Sequence, residues 1–333
     1  MTDALVLTIA IPFAGAALAA VLPGHRLQSL ATVALAGLTL FAGLALLHAP
    51  RLAGDYFIID DANVLFIILN SFVSFTSAIF SATYIGNEVG SGRISPLVCR
   101  VYHAMFLAIV AAMNLALAAN NIGLLWVGLE LATLLTIIMV GIYRTPAAIE
   151  AAWKYFILGS VGISLAFFGT ILIYLAGQAA LGEGLPALTW SRLLAAAPQL
   201  DPALINLAFV FLLVGYGTKA GLFPLHAWLP DAHAEGPTPI AAVLSGLLLN
   251  VAVFALLRFK KIIVATPGTL DPAPILIVMG GVSVLFAAFM LYSRRDIKRL
   301  FGYSSIEHMG LVVFALGVGG TVAHFGALLH MAM

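Results

Sequence analysis

Ten stretches of about twenty apolar residues recur along the sequence, and this pattern constrains the fold most strongly. A helix of that length can cross hydrocarbon, where unpaired backbone groups find no water. The stretches lie at 4–22, 28–47, 62–84, 101–119, 121–143, 150–175, 204–222, 239–259, 273–292 and 300–319. They predict an all-α polytopic membrane protein, because a membrane β-barrel would require alternation at every second residue.

Composition excludes several other classes of protein. Of the 333 residues, 62% are hydrophobic and 9% are charged, whereas about a quarter of the residues in a soluble domain are charged. A net charge of +1 without a basic tract argues against nucleic acid and leaves the lipid bilayer as the expected environment. The sequence has a single cysteine, Cys99, and no phosphate-binding or nucleophile motif, so we expect no cofactor and no metal site.

The two ends of the chain give weaker expectations. An eleventh apolar stretch begins at Thr321 and reaches Met333, which is too short for a span, so we expect a fragment or a truncated gene product. Lys and Arg favour the cytoplasmic side, and their bias favours an N-terminus outside. One set of loops would then carry Arg26, Arg93, Arg100, Arg144, Arg294, Arg295, Lys298 and Arg299, and the other Arg51, Arg192, Arg258, Lys260 and Lys261.

The lysines that fall within apolar stretches are Lys154 and Lys219, and among the acids Glu130 falls inside a stretch and Glu307 near the start of one. A charge at a helix centre costs roughly 2.5–3.5 kcal/mol on insertion scales, so such residues are functional candidates by default. Glu130 lies near the middle of its stretch, and a structural ion pair or a protonated carboxyl is the alternative. Lys154 could reach Glu130 on the preceding helix or pair with Glu150 at i,i+4.

Lys219 lies where the sequence predicts a broken helix. Gly217, Gly221, Pro224 and Pro230 surround it and cannot all be part of one smooth helix. Broken membrane helices expose backbone to polar cavities in transporters. Lys219 is therefore a candidate proton carrier, with an ordinary kink and a snorkelling lysine as the alternatives.

Histidines and acids near the break and in the tenth stretch are further candidates. His226, Asp231, His233 and Glu235 match no standard metal-ligand spacing, so we expect a hydrated pocket that supplies protons to Lys219. His308, next to Glu307, could pass a proton near neutral pH or could face lipid headgroups. His324 and His330 could extend this polar line.

Three sequence runs carry a resemblance to a known family. They are Leu125–Leu131 (LWVGLEL), Ala151–Phe156 (AAWKYF) and Gly217–His233 (GTKAGLFPLHAWLPDAH). They resemble the antiporter-like membrane subunits shared by respiratory complex I, Mrp-type sodium/proton antiporters and group 4 hydrogenases. The resemblance implies inverted five-helix repeats, each with one broken helix.

The resemblance also implies a division of the chain. Lead-in helices would occupy residues 1–100, a first repeat with its break near 217–230 would occupy 101–259, and a truncated second repeat would occupy 273–333.

The resemblance assigns roles to individual residues. It implies that Glu130 takes up the coupling charge, Lys154 modulates it, Lys219 receives the proton, and His308 passes it onward. Many relatives carry a lysine or histidine where this chain has Asn250, so the relay there would need water or Ser245. Asn250 and the run Ser304–His308 most resemble the hydrogenase-4 F-type component.

The sequence therefore predicts a proton-translocating subunit of a respiratory or hydrogenase-type oxidoreductase complex in a bacterial or archaeal cytoplasmic membrane. Its partners would be other membrane and peripheral subunits, which would carry the redox chemistry. The alternatives are a subunit of an Mrp-type cation/proton antiporter, a structural scaffold with vestigial charges, and a generic solute transporter.

Overall fold

The computed structural model describes residues 3–292 and 295–333 and shows a bundle of helices. The first helices are α1 (Asp3–Val21), α2 (His25–Ala45), α3 (Asp61–Gly90), α4 (Pro96–Ala118), α5 (Ile122–Val140), α6 (Pro146–Leu181), α7 (Leu185–Leu188) and α8 (Trp190–Ala195). They are followed by α9 (Pro202–Lys219), α10 (Leu229–Glu235), α11 (Thr238–Val243), α12 (Leu249–Ala265), α13 (Ala273–Tyr292), α14 (Ile297–Val318) and α15 (Gly320–Ala332).

The described residues contain ten helical runs that are long and apolar enough to cross a membrane. This number agrees with the sequence prediction, so the all-α polytopic fold class is confirmed. The eighth run, at 238–265, combines α11, a π-helical turn at Leu244–Leu248, and α12. It extends beyond the predicted end at residue 259.

Several spans begin at a capping residue followed by proline. Ser95, Thr145 and Asp201 each accept a backbone N–H with the side chain, and a proline follows each of them. An N-cap oxygen satisfies an amide that has no intrahelical acceptor, and proline at the next position has no amide to satisfy. These local signals determine the residue at which each of these helices begins.

A small hairpin connects α2 to α3 at one end of the bundle. Its strands, β1 (Leu52–Ala53) and β2 (Ile58–Ile59), are antiparallel. The buried Asn120, between α4 and α5, donates from Nδ2 to Gly54 O at 2.5 Å and to Ser191 Oγ at 2.9 Å. One amide therefore joins the hairpin, the α4–α5 turn and α8.

The predicted break after Lys219 is present. α9 ends at Lys219, and α10 begins only at Leu229. Gly221 adopts φ +70°, a conformation that favours glycine. The amide of Phe223 donates to Ser283 Oγ at 2.9 Å, and Trp228 Nε1 donates to Thr218 O at 2.9 Å. Side chains thus bond to backbone groups at the interruption, where the regular helical hydrogen bonds end.

Small residues allow neighbouring helices to pack closely. At Gly280, where α13 crosses α14, an added Cβ would lie 2.5 Å from Phe314 N and 2.6 Å from Gly310 O. At Gly215, where α9 meets α6, it would lie 2.6 Å from Ala166 N. Such positions bring helix backbones together where lipid provides little hydrophobic driving force.

The Gly280 crossing gives a prediction with a neighbouring control. Gly280→Ala should lower the thermal unfolding midpoint in detergent relative to Gly281→Ala, because overpacking costs roughly 1–3 kcal/mol. At Gly281 the nearest atom to an added Cβ is a Phe314 side-chain carbon at 3.7 Å. Both changes gain about 1 kcal/mol of helix propensity, so equal midpoints would contradict close packing at Gly280.

Candidate functional site

The Lys219 ammonium is buried at the broken end of α9. The residue is fully inaccessible, and its Nζ lies 5.5 Å from the centroid of the Tyr155 ring on α6. An added Cβ on Gly159 would lie 3.1 Å from this nitrogen. Nζ has no hydrogen-bond acceptor among the residues that the structure describes. Glycine on α6 therefore leaves space for a cation that is held by an aromatic face rather than by a direct ion pair.

Glu130 on α5 provides the opposite charge. Its Oε2 atom is buried and has no donor among the described residues. Glu130 and Lys219 nevertheless interact electrostatically across the space between α5 and α9. Because the carboxyl and the ammonium feel each other's charge in a poorly solvated region, a proton that binds or leaves one group changes the proton affinity of the other.

A stacked aromatic pair fixes this region. The rings of Tyr155 and Trp228 lie 4.2 Å apart between centroids, with an interplanar angle of 10°. The Tyr155 hydroxyl hydrogen-bonds to Thr136 Oγ1 on α5 at 2.9 Å. Tyr155 thus joins α5, α6 and the interrupted segment, and it positions the face against which Lys219 lies.

Lys154 faces a different environment. Its side chain is 46% exposed, and Nζ lies 2.7 Å from Glu150 Oε1 and 3.0 Å from Asp231 Oδ2. The predicted pair with Glu150 is confirmed. The hydrogen bonds and ion pairs of Lys154 are made with these two acids rather than with Glu130, because residue 154 lies in the third turn of α6, next to α10.

Asp231 connects Lys154 to the start of α14. Its Oδ1 lies 3.4 Å from Arg299 Nη2, and Arg299 also lies 4.0 Å from Glu235. Together with Glu150 these residues line a polar cavity of about 340 Å³. Three helices therefore present charged side chains to one polar cavity beside the broken helix.

The two histidines near the break have different surroundings. His226 stacks on Phe223 and contacts the tilted ring of Phe286, and burial lowers its pKa. His233, in α10 and outside the ten candidate spans, is 2% exposed, and burial together with the Lys298 charge lowers its pKa to about 4. His233 is therefore neutral at pH 7. The residues that were predicted to share one hydrated pocket are therefore separated. Asp231 lines the ion-pair cavity, whereas both histidines are packed in the interior.

A second polar region lies between α12, α14 and α15. His308 Nδ1 lies 3.0 Å from His330 Nε2, and Ser245 Oγ hydrogen-bonds to Ser305 Oγ at 2.6 Å. Asn250 donates to Gly246 O at 2.8 Å and to Met331 O at 3.0 Å. These seven residues line a cavity of about 400 Å³. The structure thus brings His308, Asn250 and Ser245 together.

Two cations were assigned wrongly from the sequence. Arg258 and Lys260 were expected in a loop or at a span end, but α12 continues to Ala265, so both lie within this helix and are buried. Lys260 donates to the carbonyl of Leu316, and its Nζ lies 3.5 Å from His324 Nε2. The continuing apolar run after residue 259 was the available signal.

Arg258 forms a buried ion pair with the start of α3. Its Nη1 lies 2.5 Å from Asp60 Oδ2, and its guanidinium lies 4.2 Å from the Trp190 ring centroid. Arg258 is 3% exposed, and the Asp60 side chain is 30% exposed. Asp60 also caps α3 by accepting the Asn63 amide at 2.8 Å. This carboxylate therefore both neutralises a buried cation and begins a helix.

With this geometry, the fold and the site define an antiporter-like membrane subunit. The chain belongs to the family described as NADH:quinone oxidoreductase/Mrp antiporter, transmembrane, whose model matches residues 119–333. The predicted resemblance is confirmed. The chain is 54% identical over 325 residues to the hydrogenase-4 component F homolog of Methylacidiphilum infernorum. The aligned region covers 98% of this chain and 68% of that protein.

Other relatives and solved structures point to the same family. The NAD(P)H-quinone oxidoreductase chain 4 of Gloeobacter violaceus is 33% identical over 70% of this chain and 42% of its own length. A subunit of the archaeal membrane-bound sulfane sulfur reductase has a TM-score of 0.87 at 25% identity, covering 98% of this chain and 67% of that chain. For Thermus thermophilus respiratory complex I the TM-score is 0.75 at 25% identity, with coverage of 98% and 67%. The Mrp complex of a Dietzia species shares the fold, with a TM-score of 0.84 at 22% identity over 98% of this chain and 36% of that one.

The Asp60–Arg258 pair gives a stability prediction. Asp60→Asn retains an N-cap oxygen but leaves the buried guanidinium without its counter-charge, which costs about 3–5 kcal/mol in buried pairs. We expect the lower end of that range because the carboxylate is partly exposed. Asp61→Asn is the control, since Asp61 pairs with Arg51 at 91% side-chain exposure and such pairs contribute at most about 1 kcal/mol. Denaturant unfolding should separate the two variants, and similar losses would contradict a stabilising role for the pair.

Proposed function

We propose that this chain is a proton-translocating subunit of a hydrogenase-type or respiratory oxidoreductase complex in a prokaryotic cytoplasmic membrane. The observation that carries the proposal is the buried Lys219 ammonium, which lacks a direct acceptor among the described residues and interacts electrostatically with Glu130. Family membership and the names of the relatives support the same assignment. The redox chemistry is assigned to partner subunits, and proton movement to this chain.

In the proposed mechanism, the charge on Glu130 controls whether Lys219 keeps its proton. When Glu130 is ionised, it stabilises the proton on Lys219. When Glu130 is neutral, the Lys219 ammonium is stabilised only by the face of the Tyr155 ring, so loss of its proton becomes more favourable. The rigid Tyr155–Trp228 stack keeps the lysine near this position, so electrostatic interaction rather than a large helix movement controls the proton.

Lys154 is proposed to modulate this exchange through the ion-pair cavity. Its partner Asp231 lies on α10, directly after the break that ends α9 at Lys219. A change in the Lys154–Asp231 ion pair would therefore alter the position or charge of groups in the broken segment. Movement of the Lys154 side chain from Glu150 and Asp231 towards Glu130 is the step that this proposal requires.

The onward route is proposed to pass through the second polar region. Ser245, Asn250 and His308 line the same cavity, and the contact between His308 and His330 gives two imidazoles that can each accept and donate a proton. Asn250 cannot carry a charge, so water or the Ser245–Ser305 pair would transfer the proton past it. His226 and His233 are proposed to line the approach to Lys219 as neutral groups.

The repeat arrangement and the orientation are part of the proposal. Residues 101–259 would form one five-helix repeat, residues 273–333 would begin its inverted partner, and residues 1–100 would precede both. We place the N-terminus outside. The bias of lysine and arginine towards the loops on the opposite side from the N-terminus supports this orientation.

The alternative is an Mrp-type cation/proton antiporter subunit, which the fold similarity to the Dietzia complex favours. Sodium-dependent proton movement in vesicles, without redox turnover, would select this alternative. Redox-driven proton transport that is insensitive to sodium would select the main proposal. Uptake of an organic solute without either dependence would indicate a solute transporter.

The central prediction concerns the two buried charges. In the assembled complex, reconstituted in vesicles with a pH-sensitive dye, Glu130→Gln and Lys219→Met should each reduce redox-driven proton transport at least tenfold, since either change removes one of the interacting charges. Glu183→Gln is the control, because Glu183 is an exposed carboxyl in the α6–α7 loop. Electron transfer by the partner subunits should be measured in parallel.

The outcomes separate the proposal from a structural role. If Glu130→Gln and Lys219→Met assemble normally and pump protons like Glu183→Gln, the chain is a scaffold and the proposal is wrong. If assembly is lost, Lys219→Arg, which retains the cation, should restore assembly and part of the transport. Full transport in an assembled Glu130→Gln complex would contradict the mechanism.

A further inference from the structure

We infer that His25, Cys99 and His103 form a binding site for one soft d10 metal ion, of the Zn(II) or Cu(I) type. Their ligand atoms all lie within 4.8 Å of one another. His25 is the first residue of α2, and Cys99 and His103 occupy one face of α4 at i,i+4 spacing. The site lies between α2 and α4, apart from Glu130 and Lys219.

The His25 ring is oriented so that a lone pair faces the cysteine. Its Nε2 lies 2.9 Å from the carbonyl oxygen of Ala82. A carbonyl oxygen can only accept, so Nε2 carries the proton and Nδ1 is left with a free lone pair. Nδ1 lies 3.5 Å from Cys99 Sγ. This contact to a backbone carbonyl is the kind of outer-shell hydrogen bond that fixes metal-binding histidines.

The second histidine is oriented in the same way from the other side. The Thr32 hydroxyl donates to Gln28 O at 2.8 Å, so it accepts from His103 Nδ1–H at 3.1 Å. The lone pair of His103 is therefore on Nε2. His103 is fully buried, and this Nε2 atom has no hydrogen-bond partner among the described residues. A buried nitrogen lone pair without a donor is costly unless a ligand occupies it.

The spacing around Cys99 matches a tetrahedral metal. Sγ lies 3.3 Å from Gln28 Oε1 and 3.5 Å from His25 Nδ1. Bond lengths of about 2.3 Å to sulfur and 2.0–2.1 Å to nitrogen or oxygen give a ligand-to-ligand separation of about 3.5 Å at the tetrahedral angle. Gln28 Nε2 donates to Leu22 O at 2.8 Å, which keeps Oε1 directed at the cysteine.

The donor set selects the class of metal. One thiolate and two neutral imidazoles suit Zn(II) and Cu(I), whereas Mg²⁺ and Ca²⁺ prefer oxygen ligands. Binding breaks the S–H bond, the thiol proton leaves to water, and a metal–sulfur bond forms with no change of oxidation state. Cu(I) would give an uncharged three-ligand complex, and Zn(II) would use Gln28 Oε1 as a fourth ligand.

Close packing next to the site leaves room for His25. An added Cβ on Gly86 of α3 would lie 2.9 Å from His25 Nε2. α3 therefore approaches the ring closely enough for Ala82 to hold it, while His25 itself stays partly exposed. The exposed edge of His25 gives an entry path, and a bound ion would join α2 to α4. This inference departs from the sequence expectation that the chain has no metal site.

The test uses the full chain purified with a histidine-free affinity tag. After incubation with Zn(II), and separately with Cu(I) under a reductant, metal analysis should find one bound equivalent per chain for at least one of the two ions. Cys99→Ala and His103→Ala should each lose this equivalent. His48→Ala is the matched control, because His48 is an exposed histidine outside the site, and it should retain the ion.

A variant at Thr32, which hydrogen-bonds to His103, distinguishes metal coordination from simple packing. Thr32→Val leaves all the ligands in place but removes the acceptor that holds the His103 ring, so metal affinity should fall about 10–100-fold. If the Cys99 and His103 variants fail to fold, X-ray absorption on the wild-type chain decides the point. One sulfur at about 2.3 Å with nitrogen neighbours at about 2.0–2.1 Å supports the site. Binding of neither ion, or a bound ion without a sulfur neighbour, overturns it.

Discussion

The burial of the Lys219 ammonium, which has no direct acceptor among the described residues, is the constraint around which the centre of this molecule is arranged. Lys219 can occupy the interior only because Gly159 leaves space beside it, the Tyr155 ring presents its face, and Glu130 supplies a compensating field. Tyr155 in turn is held by Thr136 and by the stack with Trp228. The end of α9, the face of α6 that carries Tyr155 and Gly159, and Glu130 on α5 therefore meet around this one charge.

Much of this arrangement could be predicted from the sequence, because the signals are local. Apolar length gave the spans, since hydrocarbon leaves backbone groups no other partner. Gly221 and the prolines after Lys219 indicated the interruption, and the i,i+4 spacing of Glu150 and Lys154 indicated their pair. What sequence could not provide is which residue of another helix faces each charge. Asp231 as the second partner of Lys154 follows from α10 folding back onto α6, and no local pattern encodes that.

The buried cations of α12 and the cluster around Cys99 were missed for the same reason. Arg258 reads as a helix-end residue until Asp60, almost two hundred positions earlier in the chain, is placed against it. His25 and Cys99 are likewise brought together only by the packing of α2 on α4. In each case the chemistry depends on a contact between distant segments, whereas the sequence pattern reports only the burial of one face.

The π-helical turn at Leu244–Leu248 has a consequence for the residues on either side of it. In a regular α-helix each residue turns by about 100°, so side chains five positions apart point in different directions. The wider turn absorbs one additional residue, and Ser245 and Asn250 consequently line the same cavity. Removing a single residue here would restore a regular helix and rotate Asn250, Arg258 and Lys260 together away from their present neighbours. A one-residue irregularity thus sets the angular phase of every polar group in the second half of this span.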